Sequence, residues 1–391
     1  MRRGCSASMI LVIAIVFLQF QIYFVWNYPV TIGLIGLPFV LTLLYELKFK
    51  LDFFLVALIL VVQSLIIGIL NQRIDYLQFL RTFVLFTIAI LCIVVCISSK
   101  LKTFNGQNFK YIEYTYIFLT IFSVLEVAFG ELFPILNKPF GNFTNHYAIQ
   151  RSYFGEIARA SGFYNEPSYN ALISISLIPI LCATLKGKSL TRVVFFGMIY
   201  AFSTYSVAGI FYFIILGLVI ATSANISKRF LIPILLVFVA LTFSYVGARI
   251  ESISTSGSSL NYRIIAPLQA LKVILPENLF GLPFGSLEQE MFQIGLLNGQ
   301  NIGTSVDNGI FLLFVYFGAT AMLLIILSGI ALYRYTITVK NFSALDFLIL
   351  GTPIFTLTLT GAVFTPEFVL IESLAIYGTR LFFENKRILN P

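Results

Sequence analysis

Apolar runs closed by short polar breaks dominate the pattern of this chain. They occupy 9–26, 29–45, 51–70, 79–97, 111–133, 168–185, 190–205, 207–222, 230–248, 308–335, 344–364 and 368–383. An α-helix needs about 20 apolar residues to cross about 30 Å of hydrocarbon, so the runs predict an all-α, polytopic integral membrane protein of about twelve transmembrane helices. Between 190–205 and 207–222 hardly any chain remains for a turn, which makes that junction the tightest. The first run follows Met1-Arg2-Arg3 in the manner of a signal sequence. It is long, however, and no small-x-small cleavage site follows, so it is expected to stay as the first span.

Two polar stretches interrupt the runs, at 134–167 and 249–307. Structureless segments of that length are unusual in a compact protein, so function or local helices are expected in both. Residues 268–275, apolar and enclosed by Pro267 and Pro276, predict an interfacial helix, and the Ser, Gly and Thr of 252–259 a flexible tip. No heptad, internal repeat or nucleotide-binding glycine motif is present, and 1–391 reads as a single membrane domain.

Composition excludes a water-soluble fold: 59% of residues are hydrophobic, 11% are charged, and the mean hydropathy is +0.94. A net charge of +8 would suit nucleic acid if it were clustered, but the basic residues fall in alternate short loops. Arg2/Arg3, Lys48/Lys50, Lys100/Lys102/Lys110, Lys186/Lys188/Arg192, Lys228/Arg229, Arg334/Lys340 and Lys386/Arg387 form one consistent series. By the positive-inside rule these loops and both termini are cytoplasmic, 134–167 and 249–307 face the other side, and no nucleic-acid partner is expected. Cys5, Cys92, Cys96 and Cys182 lie in or near predicted helices with no histidine beside them, and read as packing residues rather than a metal set.

Against that background Arg159-Ala-Ser-Gly-Phe-Tyr-Asn-Glu-Pro-Ser-Tyr-Asn-Ala171 is the most informative stretch. Pro167 suits a first helical turn, and Glu166 sits where a carboxylate complements a helix N-terminus, so a plain helix cap is one reading. The other gathers Arg159, Gly162, Asn165, Glu166 and Tyr169 into a polar site at the membrane surface, beside backbone donors able to hold an anion. Arg73, Arg81, Arg151, Arg159, Arg249 and Arg263 lie on the face that the positive-inside rule depletes of arginine. Either they bind phosphate oxygens through two parallel hydrogen bonds, or they snorkel to lipid phosphates and pair with Asp75, Glu156 and Glu251. Within the spans, Glu126, Glu367 and Glu372 are expected in the bundle interior, paired with a helix-end arginine or lining a groove. The lone His146 suits a base near neutral pH or a solvated loop residue, and Glu288 with Glu290 reads as a solvated turn. Serine-nucleophile, His-Glu-x-x-His and Asp-x-Asp motifs are absent.

The string Arg-x-x-Gly-Phe-x-x-Glu-Pro-Ser resembles the signature of Wzy-type O-antigen and capsule polymerases. Asp307-Asn308-Gly-Ile-Phe-Leu-Leu-Phe-Val-Tyr-Phe-Gly318 resembles that family's Asn-Gly entry to a late helix. The resemblance implies a GT-C-like membrane glycosyltransferase in the bacterial inner membrane, with both large loops periplasmic. It also implies transfer of an undecaprenyl-diphosphate-linked oligosaccharide onto another lipid-linked repeat unit, among membrane lipid and without a cofactor, with a chain-length regulator as a possible partner. The expected diphosphate-binding residues are then Arg81, Arg159, Arg249 and Arg263. Arg159 serves the chemistry directly, Glu166 is the first candidate base, Asp307 and His146 are alternatives, and Asn165, Tyr169 and Asn308 contact substrate. O-antigen ligases share the layout but carry a histidine in the second large loop, where this chain has none. A lipid flippase or transporter is the rival from another class; transporters show repeated halves and broken helices near the midplane, whereas the polar residues here concentrate in two loops.

Overall fold

The computed structural model describes residues 2–18, 21–25, 28–47, 50–71, 75–102, 106–129, 152–154, 157–164, 167–186, 188–223, 228–251, 261–293, 308–338, 342–361 and 363–389. Helices form where the apolar runs predict them: α1 (Arg2–Val16), α2 (Ile32–Leu44), α3 (Leu51–Leu70), α4 (Tyr76–Ser98), α5 (Gly106–Ala128), α6 (Pro167–Thr184), α7 (Lys188–Thr204), α8 (Val207–Ser223) and α9 (Lys228–Glu251). After a π-helical turn, Asn261–Ile265, follow α10 (Ala266–Glu277), α11 (Leu287–Gln293), α12 (Gly309–Thr338), α13 (Ala344–Leu357) and α14 (Pro366–Leu389). Among the described residues five helical stretches are long and apolar enough to cross a bilayer: Leu51–Leu70, Tyr76–Ser98, Lys110–Ala128, Pro167–Thr184 and Gly309–Ile337. The protein is therefore a polytopic, all-α membrane protein.

Three elements depart from the sequence-based expectation. The run 9–26 is not one helix: α1 stops at Val16, and β1 (Gln21–Val25) pairs antiparallel with β2 (Tyr28–Thr31). Aromatic and β-branched residues on both sides of Asn27, with Pro29 unable to continue a helix, favour that hairpin over a helical turn. The run 344–364 is helical only to Leu357, beyond which Thr358, Thr360 and Gly361 compete poorly for helix. In the other direction, α9 continues through Arg249 to Glu251, so Arg249 lies in a last helical turn rather than beyond it. The tight junction after α7 is made by Tyr205, whose φ of 44° lets two residues reverse the chain.

The centre of the bundle is α6. From Asn170 to Cys182 every side chain is buried, against α5, α7, α8, α13 and above all α14. Helices α6 and α14 meet at Gly378, where a Cβ would sit 2.5 Å from the Ile180 nitrogen. By contrast, α3 and α12 expose rows of Leu and Ile, as a lipid-facing surface does. At the lysine-rich end, β3 (Tyr45–Glu46) pairs with β4 (Lys100–Leu101) and ties α2 to α4. The opposite, long-loop end holds the starts of α4, α6, α8, α12 and α14 and the ends of α3, α5, α7, α9 and α13.

The long-loop end is not a plain surface, because α12 breaks at Gly318 (φ 49°, ψ −127°). Gly318 lies nine residues into α12, about 14 Å along its axis at about 1.5 Å per residue. The turn after α10 dips to meet the break: Ala319 N–H donates to the Leu279 carbonyl (2.9 Å), and Leu282 N–H to that of Val315 (2.8 Å). From α3, the Gln63 amide donates to the carbonyls of Phe280 (2.8 Å) and Phe317 (3.3 Å), supplying donors that hydrocarbon lacks. Phe284 fills the space beside it among Phe79, Phe86, Tyr316, Phe317 and Phe364. Residues 278–286 are thus a re-entrant turn, which the reading of 249–307 as a loop did not foresee.

Candidate functional site

The motif of residues 159–171 folds as a braced bend that delivers the chain into the central helix. Its first residues close a hairpin, β5 (Ser152–Phe154) with β6 (Ile157–Arg159). Ala160 N–H then donates to the Ser203 carbonyl (2.9 Å), anchoring the bend on the last turn of α7. Gly162 follows with φ of +63°, and a Cβ there would lie 3.1 Å from the Asn170 amide, so both the backbone angle and the space call for glycine. The Phe163 ring stacks on Phe122 at 4.1 Å and meets Phe17 and Phe118 at 5.9 Å each. Tyr164 is fully buried and donates to the Ile15 carbonyl (2.9 Å); burial pushes its phenol well above the ordinary tyrosine range, so it remains a donor.

Pro167 opens α6, as its missing N–H and fixed φ favour. One turn on, Asn170 is completely buried and knits three elements together. Its amide donates to Ser123 Oγ (3.0 Å) and to the Ala160 carbonyl (3.3 Å), and its oxygen accepts from the Tyr200 hydroxyl. Glu126, at the end of α5, completes the brace: its carboxylate accepts from Ser161 N–H (3.2 Å) and Gly162 N–H (2.7 Å). Sequence reasoning expected Glu126 to pair with an arginine or line a groove; the structure shows its carboxylate holding two backbone donors of the bend. Glu367 and Glu372 likewise accept from hydroxyls, those of Thr31 and Thr356, rather than from arginines.

Within this brace, Arg159 and Tyr169 are half-buried. Arg159 Nε donates to the Thr204 carbonyl (3.2 Å) at the C-terminal end of α7, where the helix dipole favours a cation. The second motif supplies a separate feature at the same, long-loop end. Asn308 caps α12, its oxygen accepting from Ile310 N–H (3.1 Å) and Phe311 N–H (3.3 Å), while its amide donates to the Arg263 carbonyl (3.1 Å). The π-helical turn that carries Arg263 is thereby fastened to the head of α12, and Arg263 itself is half-buried. Arg81 is exposed in the second turn of α4 at the same end, and Arg249 is placed by its backbone alone. His146, Asn165, Glu166 and Asp307 lie outside the described residues, as do Arg73 and Arg151. Among the described residues no three His, Cys, Asp or Glu side chains gather to hold a metal ion.

The bend therefore offers a hydrogen-bonded mount for a guanidinium at the long-loop end of the bundle, beside the head of its most buried helix. That arrangement suits recognition of an anion on a membrane-bound molecule more than transport through the bundle centre, which α6 fills. Relatives agree with a polymerase. A protein of Escherichia coli (strain K12) named "Putative colanic acid polymerase" is 26% identical over 323 residues, covering 77% of this chain and 78% of that protein. No solved structure matches the chain. Residues 6–380 match the model of the WcaD colanic acid polymerases, and the chain belongs to that family of polysaccharide polymerases.

Proposed function

We propose that this polymerase transfers a growing glycan from its undecaprenyl diphosphate carrier onto the terminal sugar of another lipid-linked repeat unit, at the periplasmic face of the bacterial inner membrane. The alternating basic loops support cytoplasmic termini, twelve spans and an outward-facing long-loop end. A GT-C-like architecture, with a mouth open sideways to lipid, accommodates two polyprenyl tails. The diphosphate is both carrier and leaving group, so no nucleotide is required. Arg159 and Arg263, with Arg81 and Arg249, would neutralise charge developing on the departing diphosphate; a guanidinium keeps its proton and matches phosphate oxygens in a planar fork. Glu166 would accept the proton from the attacking sugar hydroxyl, with Asp307 or His146 in that role otherwise; Asn165 and Tyr169 would position sugar, while Asn308, expected from the sequence to contact substrate, is occupied in holding the turn that carries Arg263. A chain-length regulator acting on the same lipid-linked product fits this scheme.

The observation that carries the reading is the bracing of the Arg159 bend by Glu126, Ser203 and Asn170, which positions a cation at the long-loop end before substrate arrives. The test is reconstitution of the purified protein in liposomes with lipid-linked repeat units. The expected products are lipid-linked multimers with release of undecaprenyl diphosphate in equal number to the linkages formed. Movement of unaltered repeat units between leaflets, with no multimers, would replace the polymerase with a flippase.

A further inference from the structure

Between the end of α3, the re-entrant turn and α11 lies a cleft of about 480 Å³, within the range of small-molecule sites. Its polar wall consists of Asn71, Asn278, Ser286, Gln289, Glu290 and Gln293. Among the described residues no lysine or arginine lines it, so the lining they form favours a neutral ligand over a phosphate or diphosphate. Four carboxamides supply paired donors and acceptors, a hydroxyl adds another, and a single half-buried carboxylate accepts hydrogen bonds only. Ile67, Leu70 and Pro283 give the cleft an apolar side. Vicinal hydroxyls beside a C–H face, as on a neutral sugar, match this combination.

The cleft is built rather than incidental. Helix α11 turns Leu287 and Met291 into the core, leaving Gln289, Glu290 and Gln293 on the cleft side. Ser286 Oγ donates to the Pro283 carbonyl (2.8 Å), and Glu290 N–H to that of Ser286 (3.0 Å), joining α11 to the re-entrant turn. That turn is locked in turn to the break in α12 and to Gln63, so the cleft wall has a fixed place at the end of α3 beside lipid. A lipid-tethered glycan bound here would keep its carrier within the bilayer.

We propose that this cleft is a glycan subsite, holding sugar of the lipid-linked repeat unit through the carboxamides of α11 and the re-entrant turn, with Glu290 accepting from a hydroxyl pair; the assignment rests on the polymerase reading. The residues are specificity and positioning groups for that reaction, distinct from the Arg159 bend. The probe is the free oligosaccharide released from the cell's own lipid-linked repeat unit by mild acid, added to the full-length protein in detergent and followed by ligand-observed saturation-transfer NMR. Wild type binds it, and the Gln289→Ala/Gln293→Ala pair weakens binding by at least about tenfold, the scale of one or two lost hydrogen-bonded contacts. In liposomes the same pair raises KM for the repeat unit by a similar factor, while kcat stays within about twofold, as loss of uniform binding requires. Glu290→Gln, close to isosteric, gives an independent second reading in the same direction. Wild-type binding unchanged in both variants, or no binding of the oligosaccharide at all, as for a cleft that takes only a lipid headgroup, overturns the subsite. Absence of multimers from wild type in the liposome arm overturns the polymerase reading, and the NMR arm is read without it.

Discussion

Replacing Glu126 with Gln tests whether the bend around Arg159 is a working part of the catalyst or only its scaffold. In the native protein the carboxylate accepts from two backbone N–H groups, at 2.7 Å from Gly162 and 3.2 Å from Ser161. Hydrogen bonds to a charged partner contribute about 1.5–3 kcal/mol each, whereas neutral ones contribute about 0.5–1.5 kcal/mol. The amide keeps one oxygen and turns an NH2 towards the other backbone donor, so one bond is lost and the other weakened, a change of about 2–4 kcal/mol in the ordering of residues 161–162. Ala160 on Ser203 and Asn170 on Ala160 still hold the flanks, so the bend loosens without unfolding. If Arg159 must be held in place to stabilise the leaving diphosphate, that cost falls on the transition state, at about tenfold in rate per 1.4 kcal/mol. The expected result is a decrease of about 30- to 700-fold in kcat for multimer formation in liposomes, with the variant present at wild-type level and monodisperse in detergent. Multimer formation within about twofold of wild type would refute the argument that Glu126 orders the Arg159 bend for the reaction.

Further expectations concern the packing that surrounds this bend. Gly162→Ala forces a Cβ onto a φ of +63° and against the Asn170 amide, and should lower the melting temperature in detergent by the equivalent of about 1–2 kcal/mol. Asn170→Leu leaves the buried Tyr200 hydroxyl and Ala160 carbonyl without their partner, at a cost of about 1–3 kcal/mol for each group so stranded; thermal unfolding followed by intrinsic fluorescence should shift accordingly. Gly318→Ala places a Cβ 2.1 Å from the Leu279 carbonyl oxygen, so the re-entrant turn cannot seat. A cysteine at Leu282, buried in the native turn, should then react faster with a membrane-impermeant thiol reagent. Gln63→Leu, which removes only the donor to Phe280 and Phe317, should produce the same change in smaller degree.

The positions of the helices were legible because hydrophobic run length is a direct readout of bilayer thickness, and Pro167, Asn308 and Pro267 marked helix starts by the chemistry of first turns. What runs along one segment could be read; what joins distant segments could not. Glu126 reaches residues 35 and 36 positions away, and no spacing rule connects a helix-end carboxylate to a particular loop N–H. The re-entrant turn left a faint trace: Leu279, Phe280, Leu282 and Phe284, alternating with Gly281, Pro283 and Gly285, are too apolar for a solvated loop, and Gln63 is an isolated amide in an apolar span. Gly318 gave no warning, since glycine is frequent in transmembrane helices, so the break in α12 was hidden. Helix continuity therefore does not separate this protein from transporters, which break helices in the same way; family membership does. The hairpin at 21–31 shows the converse, where aromatic and β-branched residues around Asn27 outweigh an apolar count that suggested a span.

The central claim is that Arg159 acts on the lipid diphosphate during polymerisation, and its most direct measurement is the length distribution of surface polysaccharide in cells deleted for this gene. Complementation with wild type should restore long polymer, whereas Arg159→Ala, at equal membrane abundance, should leave a single repeat unit, with Arg159→Lys intermediate because an ammonium keeps the charge but not the planar fork. Full-length polymer from Arg159→Ala would contradict the account.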